Sequence, residues 1–211
     1  IYVFKPSILE RFNNRIGGNV AFYEMDFWQT WEIDNPEDIE IVEAFLDKKI
    51  KKEYSKQLSL ENIELIVYDF DGVMTDNKVI VDEVGKESVT VNRSDGLAVG
   101  YLKEKGYKQI ILSTEKNKVV QKRAEKLQIN YFYGVDNKKN FLLNFLKSEK
   151  ISPESVMYVG NDLNDLEIMK SVGCPVCPYD AADEIKQISK YILEKSGGEG
   201  VIRCLYNLFK D

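Results

Sequence analysis

Histidine is absent from all 211 residues, and cysteine occurs only three times, at Cys174, Cys177 and Cys204. The first absence removes Ser-His-Asp and Cys-His nucleophile activation and any histidine-ligated metal site. "CPVCP", which holds two of the cysteines, has redox or zinc spacing, but a zinc site wants about four nitrogen or sulfur ligands. The three are therefore read as small buried hydrophobes. Positive charge is not in excess: 29 Lys and Arg face 35 Asp and Glu, a net charge of -6. That balance argues against a nucleic-acid partner. The one basic run, "DKKIKKEYSK", reads as a solvated helix end or linker. No apolar window is long enough to cross a membrane and the N-terminus lacks a signal-peptide pattern, so no membrane is expected and the cytoplasm is the expected location. What remains for chemistry is carboxylates, hydroxyls, lysines and a hard, oxygen-preferring metal.

The chain opens at Ile1 with "IYVF" reading as a strand, which suggests a fragment of a longer protein. Residues 1–34 read as irregular and strand-rich, with "KPSILERFNNRIGG" a short helix ending at glycines and "NVAFYEMDFWQTWEID" extended. A helix starts sharply after them: Asn35 as N-cap, Pro36 at the first helical position, Glu37 and Asp38 at its positive end. Its apolar stripe is Ile39, Val42, Phe45 and Leu46.

From residue 60 strands and helices alternate. "IELIVYDF", "KQIILST", "YFYG", "SVMYVGND" and "CPVCP" read as strands, and "NKVIVDEVGKESVTVN" as a hairpin turning at Val84-Gly85. Helices are read in "DGLAVGYLKEKG", "KNKVVQKRAEKLQ", "NKKNFLLNFLKSEK", "DLEIMKSVG" and "AADEIKQIS". Apolar strands alternating with helices predict an α/β fold, a parallel sheet flanked by helices, with ligands beyond the carboxyl ends of the strands.

Polar residues collect at those ends. Asp69 and Asp71, in "VYDFDGVMTD", lie two apart, so extended backbone turns both to one side. A plain Asp-Gly turn accounts for Asp71-Gly72 but leaves Asp69 as a costly charge in an apolar strand end. A divalent cation removes that cost. "YVGNDLND" brings Asn161, Asp162 and Asp165 to another strand end, where an N-cap explains one of the three. Ser113-Thr114 ends the second strand ahead of a helix, a natural phosphate cradle. Lys138 precedes the third crossover helix and can offset charge on both aspartate and phosphate.

These motifs, in this order over roughly residues 60–211, resemble the haloacid dehalogenase (HAD) superfamily of phosphotransferases, with its Rossmann-like fold and small hairpin flap. The resemblance implies Mg2+ as cofactor, Asp69 as nucleophile, Asp71 as general acid, and Ser113, Thr114 and Lys138 as phosphoryl-binding residues. It implies metal ligation by Asp69, Asp71 (through its carbonyl), Asn161 and Asp162. The family usually has Asp where this chain has Asn161, and an amide oxygen coordinates without charge; Asp162 is expected to compensate. "RAEKL" and "GGEGVIR" resemble the sugar-acid branch, whose members are tetramers that act on keto-deoxy-octulosonate or nonulosonate phosphates. There Glu115, Arg123 and Lys126 match positions that read the sugar acid. Arg123 and Lys126, three apart on a helix, share a face.

The first sixty residues resemble the C-terminal end of acylneuraminate cytidylyltransferases, through "FNNRIGG" and the "EID" segment. That implies domains at 1–57 (a cytidylyltransferase remnant, with Glu32 and Asp34 its acidic pair) and 58–211 (a phosphatase). The glycine-rich, basic nucleotide-binding motif is absent from these residues, so cytidylyl transfer is not expected of the chain as given. The resemblance therefore implies a Mg-dependent nonulosonate phosphate phosphatase, a homotetramer, joined to sialic-acid activation. The alternative is a catalytically weak domain serving as a tetramerisation module, toward which Asn161 is a step.

Overall fold

The computed structural model describes residues 3–25, 30–57, 62–207 and 209. The chain divides into two compact units, residues 1–52 and 53–211.

In the first unit, α1 (Pro6–Phe12) opens on Pro6 and closes at Asn13 in the left-handed conformation. α2 (Pro36–Gln57) starts as expected. The Asp38 carboxylate accepts from the backbone N–H groups of Asp34 at 3.0 Å and Asn35 at 2.8 Å, and these bonds hold its pKa below the usual value. The expected strands are a correction: no described residue of 3–25 or 30–35 is in a strand. Extended peptide becomes strand only when a second segment pairs with it, and no described segment of this unit does. Residues 1–2 of "IYVF" and 26–29 of the extended stretch lie outside the described residues, as do the side chains of the basic run.

The second unit carries a six-stranded, all-parallel sheet. Its strands are β1 (Leu65–Tyr68), β4 (Lys108–Leu112), β5 (Asn130–Phe132), β6 (Val156–Val159), β7 (Cys174–Cys177) and β8 (Tyr191–Ile192), in the order β5-β4-β1-β6-β7-β8. The antiparallel hairpin β2 (Ile80–Val81) and β3 (Glu87–Ser88) stands apart from it, with Gly85 in its turn at φ 77°. β1, β6 and β7 are buried along their whole length, so they read as unbroken apolar runs. Successive residues of β1 serve opposite faces. Ile66 and Tyr68 join a core with α3 (Arg93–Glu104), α4 (Val119–Leu127) and α8 (Val201–Tyr206). Leu65 and Val67 join a second core with α5 (Lys138–Glu149), α6 (Leu166–Met169) and α7 (Asp183–Ile188). Cys174 and Cys177 lie buried in β7, where burial pushes both thiols up, Cys174 to about 11.

Chain order places the site. β1 is central; the chain leaves it toward β4 and β5 on one side and returns to β6, β7 and β8 on the other. The carboxyl end of β1 is thus the topological switch point, where open parallel sheets bind ligands. Among the described residues no helix is long and apolar enough to cross a membrane.

Candidate active site

Asp69 follows β1 and continues its ladder, its N–H donating to Val159 O at 2.9 Å. The chain then turns tightly: Phe70 O accepts from Met74 N at 2.9 Å and Thr75 N at 3.2 Å, and Gly72 takes φ 77°. Gly72 also makes room, because a Cβ there would lie 2.0 Å from Asn161 Nδ2. A side chain at 72 would displace the Asn161 amide.

Asp69 is 3% exposed. Its Oδ1 accepts from Phe70 N at 2.7 Å and its Oδ2 pairs with Lys138 Nζ at 2.8 Å. Burial, reinforced by Asp165, pushes its pKa well above the usual value, and Lys138 opposes the rise. Lys138, the first residue of α5, follows the N-cap Asn137, whose side chain accepts from Asn140 N. It is 2% exposed and bridges Asp69 to Asp165 Oδ1, also at 2.8 Å. Burial works against its charge, but the two carboxylates outweigh burial and hold its pKa up.

Asp165 is the centre of the second strand end. Its Oδ1 accepts from Tyr158 Oη at 2.7 Å as well as from Lys138, and its Oδ2 accepts from Asn161 N at 3.0 Å. One carboxylate therefore locks the lysine, a strand tyrosine and the asparagine backbone together. Sequence reasoning placed Asp165 in the motif but gave it no role. The signal was its place between Asn164 and Leu166, an acid at the last position before the helix that Leu166 opens. Asp162, expected at the metal, is exposed instead and accepts from its own neighbour Leu163 N at 2.7 Å as a helix cap.

Asn161 donates through its N–H to Asp165 and accepts at its carbonyl from Ala182 N at 2.9 Å. Its Oδ1 is buried with no hydrogen-bond partner among the described residues. An orphaned amide oxygen is costly, and a cation removes the cost. Asn161 Oδ1, the Asp69 carboxylate and the Asp71 carbonyl are the hard oxygens that could hold one. The described residues hold no cluster of three or more His, Cys, Asp or Glu. Oxygens of this kind suit a hard divalent cation that keeps part of its shell for water and substrate oxygens.

Asp71 is half-buried; burial pushes its carboxyl up, Thr75 draws it down, and Glu115 and Glu87 push up further. Its Oδ1 accepts from Thr75 Oγ1 at 3.2 Å. Ser113, 1% exposed, follows β4, the neighbour of β1, and its Oγ accepts from Glu115 N at 3.0 Å. Thr114 beside it is partly exposed. The expected helix N-terminus does not follow directly: α4 begins at Val119, and Glu115 Oε1 organises the intervening turn by accepting from Lys116 N and Asn117 N at 2.6 and 2.8 Å.

Arg123 and Lys126 line one cleft of about 610 Å³ together with Phe70, Val89, Val91 and Lys122. Lys126 is exposed, whereas Arg123 is only 8% exposed. Its Nη2 donates to Asn92 O at 2.7 Å, and its Nε is buried without a partner among the described residues. Burial lowers its pKa and Asp95 raises it. Glu32 and Asp34 belong to the first unit and are exposed.

The haloacid dehalogenase-like hydrolase family matches residues 134–205. The 3-deoxy-D-manno-octulosonate 8-phosphate phosphatase of Escherichia coli (strain K12) is 33% identical over 149 residues, 70% of this chain and 79% of that protein. A solved structure of the Moraxella catarrhalis phosphatase of that name, in complex with a magnesium ion, a phosphate ion and 3-deoxy-D-manno-octulosonate (KDO), is 28% identical with a TM-score of 0.69. It spans 74% of this chain and 89% of the other. The cobalt-bound form of the Haemophilus influenzae counterpart is 26% identical with a TM-score of 0.68, over 72% and 89% of the two chains.

Proposed function

We propose that this chain, which belongs to the haloacid dehalogenase-like hydrolases, is a magnesium-dependent phosphatase of sugar-acid phosphates that acts through an aspartyl-phosphate on Asp69. The observation that carries the reading is the buried Asp69–Lys138–Asp165 bridge at the switch point, with both ion pairs at 2.8 Å. A carboxyl group buried there against a buried lysine is poorly explained by stability alone, since such a pair rarely repays its desolvation.

An Asp69 carboxylate oxygen attacks phosphorus, and the bond from phosphorus to the ester oxygen breaks. The Asp71 carboxyl gives its proton to that leaving oxygen, yielding the sugar hydroxyl. Water then attacks the aspartyl-phosphate, its proton passing to Asp71; the bond from phosphorus to Asp69 breaks, freeing phosphate and restoring Asp69. The raised pKa of Asp71 suits a group that must start protonated. Ser113 and Thr114 hold phosphoryl oxygens through their hydroxyls and Lys138 through its ammonium. Asp69, Asn161 and the Asp71 carbonyl would hold the cation. When bound, it supplies positive charge against the phosphoryl oxygens.

For the substrate we assign the cleft beside Phe70 to the sugar acid, with Glu115, Arg123 and Lys126 reading it and nonulosonate phosphate as the preferred ester. The Nε of the buried Arg123, without a hydrogen-bond partner among the described residues, supports a carboxylate ligand. Homotetramers and a cytoplasmic setting accompany this reading. Residues 1–57 are proposed to be the end of a cytidylyltransferase that would activate the product, resting on "FNNRIGG" and "EID", with residues 58–211 the phosphatase.

The test is phosphate release from 3-deoxy-octulosonate phosphate, a nonulosonate phosphate and a neutral hexose phosphate, with and without magnesium. Sugar-acid esters should exceed the neutral ester by about tenfold or more in kcat/KM, the worth of one charge-assisted contact. No release from any ester by intact tetramers would instead favour the scaffold role. The metal assignment has its own check in magnesium titrations of activity. Asn161→Ala should raise the magnesium concentration for half-maximal rate by at least about tenfold. Asn161→Asp should lower it, because affinity follows ligand charge.

A further inference from the structure

Thr75 has no part in the chemistry described so far, yet it is fully buried beside the general acid. Its hydroxyl oxygen accepts from Gly72 N and from Asn77 N, each at 3.3 Å. A hydroxyl has one proton and two acceptor lone pairs. With both lone pairs engaged by backbone, the proton has one direction left, and it points to Asp71 Oδ1 at 3.2 Å. The three bonds are long, as catalytic hydrogen bonds often are before substrate closes the site.

The turn that carries Thr75 is itself seated from outside. A Cβ on Gly197 would lie 2.4 Å from Gly72 O and 2.9 Å from Thr75 O, so the glycine backbone packs directly on the turn. Gly198 N donates to Val73 O at 3.2 Å. Gly197 N donates in turn to Asp180 Oδ1 at 2.9 Å, in the loop after β7. The segment before α8 thus holds the turn after β1 in place, and Thr75 converts a fixed turn into a fixed carboxylate.

We propose that Thr75 is the positioning residue of the proton-transfer step: its hydroxyl fixes Asp71 through Oδ1 and leaves Oδ2 as the oxygen that exchanges the proton with the leaving group. The inference rests on the phosphatase reading above. Asp71 needs this constraint because a half-buried carboxylate on a turn otherwise has several rotamers, and misplacing a catalytic group by an ångström costs about a hundredfold.

The experiment compares two esters that differ in how much they need an acid. An alkyl ester such as a sugar phosphate leaves as a poor alkoxide and depends on protonation. p-Nitrophenyl phosphate leaves as a stabilised phenolate and depends on it little. Wild type, Thr75→Val and Thr75→Ser are assayed on both, and Thr75→Val is repeated in an Asp71→Asn background. The expected result is that Thr75→Val loses at least about tenfold more kcat on the alkyl ester than on the aryl ester, within the range general acids contribute. Little change is expected in KM. Thr75→Ser should restore the wild-type ratio, and in the Asp71→Asn background the extra alkyl loss should vanish. The ratio of the two activities does not depend on how much of a variant is folded, so a destabilised Thr75→Val still reports. Equal losses on both esters, or an extra alkyl loss that survives Asp71→Asn, would overturn the proposal while leaving the phosphatase intact. If wild type hydrolyses neither ester, the failure belongs to the phosphatase reading.

Discussion

Asp69→Asn should lower phosphate release from every substrate by at least about 10³-fold, the scale on which loss of a covalent nucleophile is felt, while leaving the fold in place. The amide cannot form the ester to phosphorus. The structural consequences are smaller because two effects oppose. Replacing Asp69 removes a buried charge that burial and Asp165 penalise. It also removes one partner of Lys138, which keeps Asp165 at 2.8 Å. The amide oxygen can still accept from Phe70 N, the contact Asp69 makes at 2.7 Å. Thermal unfolding should therefore move by a few degrees at most. A steady-state assay beside a melting curve reads both, and near-wild-type turnover in Asp69→Asn would remove this residue from the chemistry.

Lys138→Met carries the second large effect, in stability as much as in rate. Methionine matches the length of the stem and fills the space, so the change isolates the charge. Asp69 and Asp165 are then left facing one another, each less than about a twentieth exposed, with Tyr158 and Asn161 N as the remaining contacts of Asp165. Removing one member of a buried charge set costs about 3–5 kcal/mol at neutral pH. The sign of its pH dependence follows from the carboxylates. Without the lysine, which alone opposes the rise through its charge, Asp69 favours its neutral form more strongly in the folded than in the unfolded chain. Such a group destabilises the fold most above its raised folded pKa, and the penalty shrinks as pH falls from that value toward the ordinary carboxylate pKa of the unfolded chain, below which it is gone. The melting gap between variant and wild type should therefore be wide near pH 7.5 and narrow near pH 5. Turnover should fall by about 10²–10³-fold from the lost charge on the transferring phosphoryl group. A gap that widens in acid would contradict the placement of Lys138 between two carboxylates.

Much of the second unit was legible because its strands are buried on both faces. β1, β4, β6 and β7 announce themselves as apolar runs, and the hairpin through its glycine. β8 escaped, since Tyr191–Ile192 is two residues long and bonded on one side only. A strand that short is defined by its neighbour rather than by its own residues. The same dependence undid the strands expected near the N-terminus, where no described residue of 3–25 or 30–35 lies in a strand. At the site, Asp69, Lys138 and Asn161 stand out in the sequence by the types and order of residues at strand ends, and the structure pairs Asp69 with Lys138. Exchanging the parts of Asp162 and Asp165 was beyond that method. Both follow one strand and differ only in which carboxylate the turn folds inward, a matter of backbone geometry. Arg123 taught a related lesson, because helix spacing gives the face but not the depth. The turn placed it beneath α3 with one nitrogen already engaged, and Lys126 outside.

The central claim, that Asp69 takes the phosphoryl group, is tested most directly by trapping the intermediate. The ester turned over fastest is supplied with labelled phosphorus in the presence of magnesium, and the reaction is quenched in acid within a single turnover. The digested protein is then mapped by mass spectrometry. Label is expected on the peptide bearing residues 67–76, located at Asp69, lost in Asp69→Asn and long-lived in Asp71→Asn, where water lacks its base. Phosphate release at full rate with no label at Asp69 at any time would contradict that claim.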